Sequence, residues 1–174
     1  VARFFLEDPE LSIISHIPAE RRAAVVKNIE EMVLVTDMAF HTDLLKRLED
    51  NIEGRKRNGP DAQSSNMLIL QTILHAADLS NLCKRWQIHV QWSHAILAEF
   101  YSQGDLEKYM GVEVSPHCIR DIAAGRTRQK EFIVAFVVPL YKLIMQAVPQ
   151  TKGIIEKCLV QMEHNFGRWN QLGY

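Results

Sequence analysis

The sequence predicts an all-α fold. Nearly every long segment repeats apolar residues at intervals of three and four, no run alternates in the period of a strand, and glycine and proline fall between the periodic stretches. Pro18 followed by Ala-Glu-Arg-Arg opens the first long helix, and Val25, Ile29, Met32, Val33 and Val35 carry it toward Asp37. A more charged helix is expected from about Thr42 to Gly54. GRKRNGPDAQSS, residues 54 to 65, reads as the clearest internal loop. The apolar run SNMLILQTIL leads next into HAADLSN, residues 75 to 81. Here Met67, Leu70, Leu74 and Asp78 line up as a core-facing stripe, so Asp78 is expected to be a carboxylate in need of a cation, a hydrogen-bond network or a helix end. A helix from about Trp86 to Gln103, ended by Gly104, precedes an irregular segment from Asp105 to Arg126. Two helices, near 127 to 147 and 150 to 171, finish the chain.

With 174 residues, 47% apolar and 24% charged, the chain can bury a real core and reads as one domain or a large part of one. Twenty basic residues stand against 21 acidic ones, and the only tight basic cluster, Arg55-Lys56-Arg57, has no interleaved aromatics, which argues against a nucleic-acid partner. Cys83, Cys118 and Cys158 are odd in number and widely spaced, as expected of reduced thiols in the cytoplasm. FIVAFVVPLYKLIMQAV, Phe132 to Val148, is the most apolar window. Lys142 and Pro139 interrupt it, so a buried, Pro-kinked helix is expected rather than a membrane span. The chain opens on Val-Ala-Arg-Phe-Phe, as a piece of something longer would.

Three short clusters have the residue types for chemistry: Thr36-Asp37-Met38, Asp78 with Ser80 and Asn81, and Gln129 with Phe132 at i and i+3. Each also has a plain structural reading, since buried acids bond backbone amides and an aromatic ring is often core. The histidines form no i, i+4 zinc pair, and no phosphate-binding glycine loop or nucleophile elbow is present.

Taken in order, VLVTDMAFH (33 to 41), ILHAADLSN (73 to 81), QWSHAILAEFYSQGD (91 to 105), GVEVSP (111 to 116) and RQKEFIVAFVVPLY (128 to 141) resemble the class I cyclic nucleotide phosphodiesterases. The resemblance runs from about Ile29 to Trp169 and implies a compact, multi-helix HD-type catalytic domain, of which residues 1–174 form the C-terminal portion. It implies that Asp78 is a metal ligand, that Gln129 bonds the purine edge and that Phe132 clamps the base. Asn81, Trp92, Ile96 and Phe100 would line the pocket, Met38 and Leu79 would lie near phosphate and metals, and Thr36 would bond metal-bound water. The implied cofactors are Zn²⁺ and Mg²⁺ or Mn²⁺, two ions sharing a hydroxide that attacks the cyclic phosphate of cAMP, with cGMP as a second candidate substrate. The remaining ligands and the general-acid histidine are expected upstream of residue 1. His89 stands where the family often has Tyr, Leu82-Cys83-Lys84 replaces a Pro-containing turn, and His117 falls beside the pocket where many members carry an apolar residue. Another HD-type metal phosphohydrolase and a non-catalytic helical binding module are the competing readings. A homodimer through Ile154, Ile155, Leu159 and Met162 is weighed against packing of that helix within the domain, which is preferred.

Overall fold

In the computed structural model, residues 2–8, 10–58, 62–121, 127 and 130–171 are described, and every described regular element is helical. The chain divides into two compact units, Val1–His75 and Ala76–Tyr174.

The first unit begins with α1 (Ala2–Glu7) and α2 (Ala19–Leu34), the latter capped by Pro18. Proline suits that position because it has no N–H to leave unpaired. Asp37 then caps a short 3₁₀ turn, Met38–Phe40, its Oδ1 accepting the N–H of Ala39 at 2.9 Å. Helices α3 (His41–Asn58) and α4 (Ala62–Asp78) follow. His41 opens α3 and His75 lies near the end of α4, yet their rings hydrogen-bond at 2.9 Å, so the two helices run antiparallel as a helical hairpin. Leu44, Leu48 and Ile52 form the buried row of α3 at intervals of four.

Two sequence expectations change here. The loop expected over residues 54 to 65 is helical on both sides, through Asn58 and again from Ala62. Arg55, Lys56 and Arg57 sit in the last turn of α3, where cations oppose the negative end of the helix dipole. Asp78 is also not on the buried stripe. The buried row of α4 is Leu68, Gln71, Thr72, His75 and Ala76, whereas Leu70 (49% exposed) and Ile73 (41%) face outward and Asp78 is exposed. The polar members of the buried row bond internally: Thr72 donates to Leu68 O at 2.7 Å and the Gln71 Nε2 to Glu31 O at 3.3 Å, while the Gln71 Oε1 has no partner among the described residues.

The second unit is built on α5 (Trp86–Tyr109), α6 (Val138–Ala147) and α7 (Lys152–Gln171). Helix α5 does not stop at Gly104, as its sequence suggests, but runs through it. A Cβ at Gly104 would collide with the Cys118 carbonyl oxygen, so the glycine is there for a close approach rather than for termination. Before α6 the backbone forms a π-helical turn, Ile133–Val137. Pro139 lacks the N–H that would bond one turn back, and the widened turn takes up the mismatch, which is the form the anticipated proline kink takes. Ile133, Val137, Leu140, Tyr141 and Ile144 are buried there, joined by Ile155, Met162 and Trp169 of α7. Each such aliphatic side chain contributes about 1.5–3 kcal/mol by leaving water. Ile154 points outward and Leu159 is half-buried, so the buried row of α7 packs within its own unit. Among the described residues no single helix is long and apolar enough to cross a membrane; the pair Lys130–Ala147 and Pro149–Gln171 meets the criterion only together and is bent by 120°.

Candidate nucleotide site

Asp78 is the last residue of α4, and the chain turns at once through Leu79 into a 3₁₀ turn, Ser80–Cys83, closed by Lys84 N–H to Asn81 O at 3.1 Å. An aspartate at that point leaves its carboxylate at a surface rather than within the helix ladder. Asn81 and Leu79 are half-buried. The Asn81 Oδ1 is buried and has no hydrogen-bond partner among the described residues. The Asn51 Oδ1 and Gln71 Oε1 are likewise buried without a partner among the described residues, but of the three only Asn81 stands on the turn after Asp78, beside α5.

The turn packs against α5, whose Trp92, Ile96 and Phe100 recur at intervals of four on one face. Trp92 is 54% exposed and Phe100 39%, large aromatic surfaces that no described neighbour covers. The same row leads to Gly104, under which lies the carbonyl of Cys118, the residue after His117. His117 itself is exposed in the turn Pro116–Cys118.

That loop is clasped to α5 by the residues around QGD. Glu107 accepts from Ser115 N at 2.7 Å and Ser115 Oγ at 2.9 Å, and Gln103 supports the same carboxylate. Arg120 makes a two-pronged pair with Asp105, at 2.5 and 3.2 Å, and lies over the Tyr101 ring. Hydrogen bonds from Gln103 and Ser115 hold the Glu107 carboxyl below the usual range, and Arg120 does the same for Asp105.

Behind the turn, sequence reasoning missed a cluster. His89 is fully buried, and its Nε2 accepts the indole N–H of Trp169 at 2.8 Å. The ring is therefore neutral with its proton on Nδ1, which faces the backbone carbonyl of Asn81 without a well-aligned bond. Trp86 and Trp169 meet edge to face at 5.0 Å, and Arg168 covers Trp86. Burial lowers the His89 pKa from the ordinary histidine value, only partly opposed by the Asn81 carbonyl. The unfolded chain therefore takes up this proton first as pH falls. Stability from His89 is complete above about pH 6.5 and drains away below it toward the depressed folded value. His89→Gln, which keeps an acceptor for Trp169 but cannot ionise, should lose less melting temperature between pH 7 and pH 5 than the wild type does in calorimetry.

Phe132 is half-buried and stacks on Phe136 with centroids 5.4 Å apart and planes 28° from parallel, so the aromatic face has two rings where the sequence singled out one. Their i, i+4 spacing was the available signal. Gln129 lies outside the described residues. Thr36 and Met38 belong to the first unit. Thr36 donates its hydroxyl to Val33 O at 2.7 Å, and Met38 is partly exposed in the 3₁₀ turn after Asp37.

A model of 3′5′-cyclic nucleotide phosphodiesterases matches residues 1–158. The chain belongs to that family. A probable 3′,5′-cyclic-AMP phosphodiesterase pde-4 of Caenorhabditis elegans is 33% identical over 171 residues, 95% of this chain and 25% of that protein. Mouse 3′,5′-cyclic-AMP phosphodiesterase 4C is 32% identical over 142 residues, 79% of this chain and 21% of its own length. The solved structure of LmjPDEB1 in complex with IBMX superposes with a TM-score of 0.83 at 27% identity, covering 98% of this chain and 50% of that one. This phosphodiesterase chain thus spans about a quarter of the curated relatives it matches and half of the solved one. Its all-α architecture is the family's.

As for metal, the described residues contain no group of three or more His, Cys, Asp or Glu placed to hold an ion. Asp78 alone is one exposed carboxylate, and a phosphodiesterase metal pair needs several ligands, so the described donor set does not by itself fit the ions.

Proposed function

We propose that this chain supplies the nucleotide pocket of a catalytic domain that hydrolyses the 3′ phosphoester of cyclic AMP to the 5′ nucleotide. The observation that carries the reading is the open, buried Oδ1 of Asn81, three residues beyond Asp78, beside the aromatic row of α5. A planar base needs a polar edge contact and an apolar face contact. Asn81 and Gln129 offer amides for the edge, while Phe132 stacked on Phe136 and the α5 row offer faces. An amide can present donor and acceptor in either flip, so cyclic GMP is the second substrate to assay. The relatives' names, which are those of cyclic-AMP phosphodiesterases, support cyclic AMP first.

Asp78 is proposed as one carboxylate of a divalent metal centre, zinc with magnesium or manganese, completed by residues beyond those described. Such ions would generate the nucleophile at neutral pH. The chain's own part is to bind and orient the nucleotide. Within the second unit, Leu79 is proposed to border the phosphate end and His117 the far side of the base pocket. The three free thiols support a reducing, cytosolic setting.

The test uses the full-length protein that carries this chain. Gln129→Ala and Phe132→Ala should each raise KM for cyclic AMP by about 10- to 100-fold, the scale of one lost polar or stacking contact in a desolvated pocket. Metal content measured by atomic emission should stay unchanged. Wild-type protein that hydrolyses neither cyclic nucleotide, with metals bound, would defeat the reading.

A further inference from the structure

Asn165 of α7 is fully buried, with both amide hydrogens donated and its oxygen accepting. Its Nδ2 donates to Leu82 O and to Lys84 O, each at 2.9 Å, and its Oδ1 accepts from Gln161 at 3.1 Å. The two carbonyls belong to the 3₁₀ turn that carries Asn81 and to the residue that closes it. One side chain from a helix more than 80 residues away therefore holds the exit of the turn, while the Asn81 amide oxygen on that turn is left open. A short 3₁₀ turn has poor internal hydrogen bonds: here Leu82 N–H reaches Leu79 O at 3.4 Å. The external clamp is what defines its geometry.

We propose that Asn165 is a positioning residue that orients Asn81 toward the nucleotide through the carbonyls of Leu82 and Lys84. The proposal rests on the nucleotide-site reading above, and assigns to α7, which carries none of the proposed nucleotide contacts, control over how tightly the base is held. Its effect falls on binding more than on the chemical step, because the clamp acts on the turn after Asp78 rather than on the helix that ends there.

Cys83, between the two clamped carbonyls, gives a readout independent of activity. Its thiol is pushed up to about 12, chiefly by burial, so it alkylates slowly while the turn is held. In the full-length protein, Asn165→Ala should raise KM for cyclic AMP about tenfold with kcat within about threefold, the scale of one to two lost neutral hydrogen bonds. Iodoacetamide labelling of Cys83, followed by peptide mass spectrometry, should accelerate in parallel. Gln161→Met, a milder change that only frees the Asn165 amide, should shift both readouts in the same direction by less. Ile155→Ala, a packing loss on the same helix, should lower the melting temperature yet leave KM and Cys83 labelling near wild type. Equal shifts from Ile155→Ala, or no shift from Asn165→Ala, would overturn the proposal. If the wild type proves inactive on cyclic nucleotides, the functional reading falls while Cys83 labelling still decides whether the clamp exists.

Discussion

Asp78→Ala in the full-length protein should abolish cyclic AMP hydrolysis and lower bound metal, while leaving the melting temperature of the metal-free protein almost unchanged. The last clause follows from the structure: the carboxylate is exposed at the end of α4, and the buried row of that helix passes through Leu68, Thr72 and His75 instead. Exposed substitutions away from caps and ion networks usually change stability by about 0.5 kcal/mol or less. Loss of one charged contact to the reacting centre, by contrast, removes on the order of 10³-fold in rate, about 4 kcal/mol of transition-state stabilisation. A large activity loss without a stability loss is the signature of a ligand. Retained turnover, measured by release of the 5′ nucleotide, would remove Asp78 from the site.

Gly104→Ala should have a large structural effect for one methyl group, and of the five glycines whose surroundings are described only Gly104 has atoms within 4 Å of an added Cβ. The added Cβ meets a backbone carbonyl, Cys118 O, and also lies 3.0 Å from the Cys118 Cβ; neither is the far end of a flexible side chain. Either α5 or the loop must move. Overpacking of this kind costs about 2–3 kcal/mol, or about 5–10 °C in Tm for a chain of this size. Because the loop also carries the Glu107–Ser115 and Asp105–Arg120 contacts, KM should rise as His117 shifts with it. Gly167→Ala is the matched control. It lies within α7 with nothing near its added Cβ, and should be neutral or slightly stabilising, since alanine restricts the unfolded chain. A melting curve for Gly104→Ala that overlays the wild type would show that the loop is not seated on α5 as described.

The helical class and the order of the helices were legible because apolar periodicity is dense along the whole chain. The places where it misled share one cause: a single sequence shows composition along a helix but not which partner satisfies its polar groups. In α4 the outward row is apolar, with Leu70 and Ile73, whereas the buried row contains Gln71, Thr72 and His75, each bonded inside. Counting apolar residues therefore selected the wrong row. Gly104 reads as a stop because glycine often follows a helix end, and only the Cys118 carbonyl against it reveals the other use. His89 stands out in the sequence only as a departure from the family, and it takes Trp169, 80 residues on, to fix its tautomer. The motif residues Asp78, Asn81 and Trp92 were found by resemblance, and what the structure adds is their surroundings.

The π-helical turn at Ile133–Val137 also acts as a phase adjuster. Phe132 and Phe136, at either end of its first turn, stack with planes 28° from parallel. Beyond it the regular helix resumes with Leu140 and Ile144 turned into the core. The helix thus carries two registers, an aromatic one at its start and an aliphatic one after Pro139, offset by the one residue the wide turn absorbs. Wound as a plain α-helix at its present length, the segment would swing the ring pair by about 100° against the core half, whereas removing the one absorbed residue would leave the two halves in register. The winding of this segment is therefore as much a determinant of the aromatic face as the identity of its phenylalanines.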